Sequence, residues 1–123
     1  HRQGGQKVMH ELGIADAICK TVTRIVGENG VEHLRSVTVE VGDLSGVVPR
    51  FLLDCWEAVT AGSALAGVRL LLHAVPATAR CEDCGSVFVV DTASLRCPDC
   101  GGDKLTPLSG QDLTIAEIEA EEA

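Results

Sequence analysis

Two Cys-x-x-Cys pairs constrain this chain more than any other feature of its sequence. The stretch "CEDC" ends and the stretch "CPDC" begins with twelve residues between them. Glycines after both pairs and a proline in the second favour tight turns, so that each pair directs two thiolates at one centre. Four thiolates at one centre suit Zn²⁺ and leave no position for a catalytic water. We therefore predict a structural zinc site formed by Cys81, Cys84, Cys97 and Cys100.

The same four cysteines have other readings. A redox pair, an iron-sulfur or rubredoxin-type iron centre and two disulfides are the alternatives, and the spacing together with a reducing cell interior favours zinc over them. Binding of nucleic acid is not expected, because the formal net charge is -8 and a phosphate backbone would be repelled. The basic residues near the cysteines are also outnumbered by acidic ones.

Length and hydropathy place the chain among single-domain soluble proteins. It has 123 residues, of which 46% are hydrophobic, enough for one compact core. No apolar run approaches the roughly 20 residues of a membrane span, and the first residues lack the plan of a signal peptide. We expect a cytoplasmic protein with no membrane partner.

Two amphipathic helices are predicted. Apolar residues recur at three- and four-residue steps from His10 to Glu28, and the following Asn and Gly favour a helix end. A second helix is predicted from Pro49 to near Gly62, since proline is well accepted in a first helical turn. Leu12 belongs to the apolar pattern of the first helix and Leu53 to that of the second. Cys19 and Cys55 lie on the apolar sides and are expected to be buried small hydrophobes.

Strands account for most of the remaining chain. The stretch "LRSVTVEVG" alternates valines with polar residues, which predicts a half-buried strand with its valines toward the core. The stretch "VRLLLHAVPA" predicts a strand that leads into the cysteine segment. The final stretch "LTIAEIEAEE" fits both a strand and a helix, and we favour a strand that closes the sheet.

These elements predict an α+β fold, a small mixed sheet with two helices and a zinc-ribbon-like domain inserted between the last two strands. The main domain is expected over residues 9–77 and 109–123, and the zinc-binding domain over residues 78–108. Residues 1–8 precede a Met-His-Glu triplet and are interpreted as the end of an affinity tag and a linker, so they are left out of the fold. The alternative is a native extension, which would remove the terminal amine of Met9 as a metal ligand.

The triplet Met9-His10-Glu11 has two readings. If translation begins at Met9, the imidazole of His10 can join backbone nitrogens near the chain end in chelate rings, a nitrogen-rich set that suits Ni²⁺ or Cu²⁺. Glu11 would supply an oxygen or orient the imidazole. The alternative is that His10 and Glu11 are solvated residues of a first helical turn.

Five stretches in combination resemble one known family. They are the opening "MHELGIADAI", the strand and loop "VTVEVGDLSGVVP", the strand lead "GSALAGVRL", the two Cys-x-x-Cys pairs and the closing "GQDLTIAEIE". From Met9 to about Glu122 the chain resembles the HypA/HybF family of hydrogenase-maturation nickel metallochaperones. One departure is that residues precede the methionine, which is the first residue in the family.

The resemblance implies a function and a set of site residues. His10 would be the principal ligand for Ni(II), a transient cargo, with Glu11 beside it, and the four cysteines would hold structural Zn(II). A nickel domain with an inserted zinc domain would act with a HypB-type GTPase and a hydrogenase large-subunit precursor. Whether the protein is a homodimer, which hydrogenase it serves and whether it also serves urease are left open.

The sequence gives no reason to expect an enzyme. It has no glycine-rich phosphate loop, no His-Glu-x-x-His helix and no serine nucleophile elbow, so any GTP hydrolysis is expected from the partner. The alternative function, from a different class, is a zinc-ribbon module that regulates by binding another protein or a nucleic acid.

Overall fold

The computed structural model describes the backbone from Arg2 to Glu121 and the side chains from His10 to Glu121. Two helices and six strands form in this part of the chain, and neither helix combines the length and the apolar character that a membrane span requires. In order they are α1 (Arg2–Glu28), β1 (Leu34–Gly42), α2 (Pro49–Thr60), β2 (Arg69–Val75), β3 (Thr78–Cys81), β4 (Val87–Val89), β5 (Leu105–Ser109) and β6 (Leu113–Ala120).

Helix α1 begins at Arg2 rather than at the predicted His10. The prediction relied on apolar residues at helical steps, which the first turns lack, but no proline interrupts these turns and a formed helix extends at one hydrogen bond per residue. The predicted end is confirmed. The N–H of Asn29 donates to the carbonyl of Ile25 at 3.0 Å, and Gly30 takes a φ of 65°.

The buried face of α1 differs from the predicted one by a single position. Leu12, expected on the apolar side, is 41% exposed, whereas Glu11 is fully buried. Consecutive helical residues point about 100° apart, and here the inward direction is taken by Glu11 while Leu12 points toward solvent. The described part of the buried face consists of Glu11, Ala15, Ile18, Cys19 and Val22.

Helix α2 begins at Pro49 and ends at Thr60, close to the predicted Gly62. Trp56 is buried, and its indole N–H donates to the carbonyl of Val68 at 2.8 Å. Leu53 belongs to the predicted apolar pattern but is 41% exposed. The prediction for the two helical cysteines is confirmed, since Cys19 and Cys55 are both buried and neither is in a disulfide.

A first sheet has the strand order β2-β1-β6, and the prediction that the last stretch is a strand is confirmed. The N–H of Gly42 donates to Asp112 and that of Glu121 donates to His33, a pattern typical of antiparallel pairing between β1 and β6. The expectation that β1 is half-buried is wrong for its middle. Ser36 and Thr38 are buried together with the valines, and since successive side chains point to opposite faces, both faces of β1 are covered at its middle.

A second sheet has the order β4-β3-β5, with both pairs antiparallel. Its small core consists of Ala77, Ala79 and Val90, against which Leu44, Phe88 and Leu105 pack. Gly42 and Gly110 approach closely beside this sheet. A Cβ on Gly42 would overlap the carbonyl oxygen of Gly110, so that only glycine fits at position 42.

The chain divides into two compact units. One unit comprises Glu40–Gly46 and His73–Thr114, and therefore contains the second sheet and all four paired cysteines. The other unit contains both helices and the remaining described residues.

Candidate metal centre

The first Cys-x-x-Cys pair forms a tight turn at the end of β3. The N–H of Gly85 donates to the carbonyl of Cys81, and the N–H of Cys81 donates to the carbonyl of Ser86, both at 2.8 Å. Gly85 takes a φ of 77°, a conformation that glycine adopts without steric cost. We call residues 81–86 the first knuckle.

The second pair forms the same turn. The N–H of Gly101 donates to the carbonyl of Cys97, and the N–H of Cys97 donates to the carbonyl of Gly102, again at 2.8 Å. Gly101 takes a φ of 73°. The backbone N–H groups of Asp99 and Gly102 also point at the sulfurs of Cys97 and Cys100, each at 3.4 Å. We call residues 97–102 the second knuckle.

The two knuckles bring four sulfur atoms together. All four lie within 4.8 Å of one another, with 3.5 Å between Cys81 and Cys100 and 3.6 Å between Cys84 and Cys97. Sulfurs around a tetrahedral zinc ion, at Zn–S distances near 2.3 Å, are separated by about 3.8 Å. A disulfide would need about 2.05 Å, so the disulfide alternative is wrong for these cysteines. The donor set therefore fits a tetrahedral metal ion.

The thiols perturb one another's ionisation. Burial raises the pKa of Cys97, but backbone N–H groups of Cys100 and Asp99 and neighbouring thiols lower it, to about 7. The N–H of Ser86 lowers the pKa of Cys84, but the other thiols and burial raise it, to about 12. Negative charges at this spacing repel, so one thiolate forms readily and the others resist. A cation at the centre is what allows all four to ionise.

The arginine side chains near the cysteines bind to groups of the same unit. The guanidinium of Arg80 lies 3.6 Å from the carboxylate of Glu82, and that of Arg96 donates to the carbonyl of Gly101 at 3.1 Å. Glu82 also accepts a 2.5 Å hydrogen bond from Thr106, and this bond, ahead of Arg80, lowers the pKa of Glu82. The contacts of Glu82 lie at the first knuckle, and the contact of Arg96 lies at the second.

The other predicted site residues, His10 and Glu11, lie on α1 and have opposite environments. His10 is exposed, whereas Glu11 is fully buried. The Glu11 Oε2 atom accepts a hydrogen bond from the N–H of Val48 at 2.7 Å, and Oε1 has no hydrogen-bond partner within the described chain. The structure thus does not bring the two side chains to one side of the helix.

Within the described residues, the four paired cysteines are the one group of three or more potential metal ligands. The contact between Glu11 and Val48 was not predicted, because a backbone N–H 37 residues away leaves no signal in a sequence pattern. Cys55 also lies on the buried side of its helix. Burial, followed by the charges of Glu11 and Asp54, raises the pKa of Cys55.

Comparison with known proteins extends over most of the chain. A protein named hydrogenase maturation factor HypA from Geotalea uraniireducens is 40% identical over 113 residues, which cover 92% of this chain and 100% of that protein. The protein of the same name from Streptomyces avermitilis is 39% identical over 116 residues, covering 93% of this chain and 88% of that protein.

The fold has relatives among solved structures. The solution structure of the nickel metallochaperone HypA from Helicobacter pylori matches with a TM-score of 0.62 at 16% identity, covering 89% of this chain and 96% of that one. The family model described as HypA, hydrogenase/urease nickel incorporation, metallochaperone, matches residues 9–120. The chain therefore belongs to the HypA family of hydrogenase and urease nickel-incorporation metallochaperones.

Proposed function

We propose that this protein carries Ni(II) to the large-subunit precursor of a NiFe hydrogenase and holds a structural Zn(II) ion. The observation that carries the proposal is the match of the HypA family model to residues 9–120. The four converging thiols support the second metal. The nickel site must release its ion, whereas the zinc site must keep its ion.

The four-cysteine cluster is proposed as the zinc site. A zinc ion, when bound, supplies the positive charge that keeps four neighbouring thiols ionised. The sulfur distances of 3.5 and 3.6 Å support a tetrahedral set with no open position. We therefore propose a zinc-binding domain over residues 78–108 and a nickel-binding domain over residues 9–77 and 109–123.

His10 and Glu11 are proposed as nickel ligands. The buried Oε1 atom of Glu11 lacks a partner within the described chain, and a buried carboxylate oxygen is stabilised by a cation. The N–H of Val48 holds the second oxygen and so orients the carboxylate. His10 is exposed and offers an imidazole to ions in solution.

The proposed role involves partners and no catalysis by this chain. We propose that a HypB-type GTPase supplies nucleotide hydrolysis, since this sequence has no glycine-rich phosphate loop. We further propose that transfer takes place in the cytoplasm and that the ion passes to the precursor through ligand exchange at His10. Few ligands at an exposed residue favour release over retention.

Complementation in a bacterium that lacks its own HypA protein tests this function. The parent chain is expected to restore hydrogenase activity, and His10→Ala is expected to lose it while retaining zinc and fold. His33→Ala, which removes another exposed histidine, is the matched control and should behave as the parent.

Full activity in cells that carry His10→Ala would contradict the nickel assignment. A parent chain that binds zinc but neither binds nickel nor restores activity would instead support the alternative of a zinc-ribbon interaction module. Added nickel in the growth medium serves as the positive control, because it separates a defect in delivery from a defect in the hydrogenase itself.

A further inference from the structure

The two knuckles share one local plan. The first reads Cys-Glu-Asp-Cys-Gly-Ser and the second Cys-Pro-Asp-Cys-Gly-Gly, so Asp83 corresponds to Asp99 and Ser86 corresponds to Gly102. In both, the backbone hydrogen bonds close within six residues. These bonds fix the two sulfurs of one knuckle, but they do not set the separation between the two pairs of sulfurs.

Each aspartate reaches the last residue of the opposite knuckle. The hydroxyl of Ser86 donates to Oδ2 of Asp99 at 2.6 Å. In the reciprocal position, Oδ2 of Asp83 lies 2.7 Å from the point that a Cβ on Gly102 would occupy. The pair Asp99 and Ser86 therefore corresponds in position to the pair Asp83 and Gly102. Only the first pair can form a hydrogen bond between side chains, because Gly102 has no side chain.

Within the described residues, the Ser86–Asp99 bond acts directly between the two knuckles, whereas the backbone bond from the N–H of Glu82 to the carbonyl of Lys104 joins the first knuckle to the segment just beyond the second. Apart from the contacts between thiols, it is the one hydrogen bond that joins residues 97–102 to the first knuckle. The remaining hydrogen bonds of the second knuckle are local, such as the one from Arg96 to the carbonyl of Gly101.

We propose that Ser86 and Asp99 are positioning residues that hold the two knuckles together and thereby slow the loss of the metal ion from the four thiols. The inference rests on the proposed metal site. Neither side chain touches the ion. Loss of metal requires the knuckles to separate, and a hydrogen bond from one to the other must break before they do.

Because of the charges at the site, removing the Ser86 hydroxyl is expected to speed metal loss more than removing the charge of Asp99. A zinc ion with four thiolates carries a net charge of -2, and the Asp99 carboxylate adds a further negative charge nearby. The hydroxyl of Ser86 donates to that carboxylate. Ser86→Ala leaves the charge without this donor, whereas Asp99→Asn removes the charge and keeps an oxygen acceptor for Ser86.

The test is the rate of zinc transfer from the full chain to an excess of a colorimetric chelator at neutral pH. A hydrogen bond of ordinary net strength corresponds to a rate change of roughly twofold to tenfold. We expect Ser86→Ala to release zinc faster by this factor, Ser86→Thr to restore the parent rate and Asp99→Asn to release no faster than the parent. Asp99→Ala combined with Ser86→Ala should be no faster than Ser86→Ala alone.

Asp103→Asn is the matched control. It removes one exposed carboxylate next to the second knuckle without removing the bond to Ser86, and should leave the rate unchanged. Substitution with Co(II) gives an independent readout. The thiolate-to-cobalt absorption should have the same position and intensity in every variant, because all four ligands are retained.

A parent rate in Ser86→Ala, or effects of Ser86→Ala and Asp99→Ala that multiply in the double variant, would overturn the inference and leave the zinc site intact. A parent chain whose cobalt spectrum shows fewer than four thiolates would overturn the zinc assignment and the inference together.

Discussion

Glu11 combines a structural contact with a proposed role as a metal ligand. Its carboxylate is fully buried, with one oxygen bound to the N–H of Val48 and the other without a partner in the described chain. Val48 immediately precedes α2, whose first residue is a proline without an N–H group. The carboxylate of Glu11 therefore lies at the amino-terminal end of α2.

Substitution of Glu11 separates these two roles. Glu11→Gln keeps an oxygen acceptor for Val48 but loses the charge, so we expect weaker nickel binding with little loss of stability. Glu11→Ala leaves the N–H of Val48 without its acceptor and should also lower the free energy of unfolding by about 1–3 kcal/mol. Urea unfolding and nickel titration of both variants check this. Equal nickel affinity in Glu11→Gln and the parent would remove Glu11 from the ligand set.

The sequence indicated candidate metal ligands more readily than the directions in which their side chains point. The cysteine pairs gave the zinc-ligand candidates by type and spacing, whereas His10 and Glu11 became the nickel-ligand candidates through the resemblance to the family. The direction of Glu11 depends on the phase of a helix that begins at Arg2, and the Ser86–Asp99 bond depends on how two knuckles face each other. Neither has a local signal, because both contacts join parts of the chain that pattern analysis treats separately.

At the scale of secondary-structure elements, glycine allows the strands beside the second sheet to approach. The N–H of Gly42 donates to the carbonyl of Asp112, and the N–H of Leu44 donates to that of Gly110, at 2.9 and 2.8 Å. Residue 42 is therefore surrounded by backbone. Periodicity located this strand from its valines but gave no indication that its last residue must lack a side chain.

Gly42→Ala is expected to lower the free energy of unfolding by roughly 1–3 kcal/mol, because its Cβ would meet the backbone of Gly110 and cannot be accommodated by a side-chain rotation. Gly13→Ala is the matched control. Gly13 lies within α1 with open space around it, so alanine there should stabilise the protein by about 1 kcal/mol. Thermal unfolding of both variants measures the two shifts. A neutral Gly42→Ala would contradict the close approach of the two strands.

At the scale of the whole molecule, two compact units use different sources of stability. The unit with both helices buries large apolar side chains, including Leu52, Trp56 and Val22. The unit with the knuckles has a small core of two alanines and a valine, with three partly buried residues around it. A core of this size supplies little free energy, so the metal ion is expected to supply the rest.

Loss of one thiol should therefore affect the two units unequally. We expect Cys81→Ser to lose zinc and to unfold residues around the knuckles, while the helical circular dichroism of α1 and α2 is largely retained. Cys19→Ser replaces a cysteine outside the cluster and should keep zinc. Zinc content and circular dichroism of both variants test this. Full zinc retention by Cys81→Ser would contradict the four-thiolate site.

The most direct test of the central claim is a calorimetric titration of the zinc-loaded protein with nickel. The claim is that one chain holds a permanent zinc ion at four cysteines and a transient nickel ion at His10 and Glu11. We expect one nickel ion to bind to the parent and to His33→Ala, and none to bind at that site in His10→Ala, with zinc content unchanged in all three. Nickel binding to His10→Ala with the affinity of the parent, or displacement of zinc by nickel at the cysteines, would contradict the account.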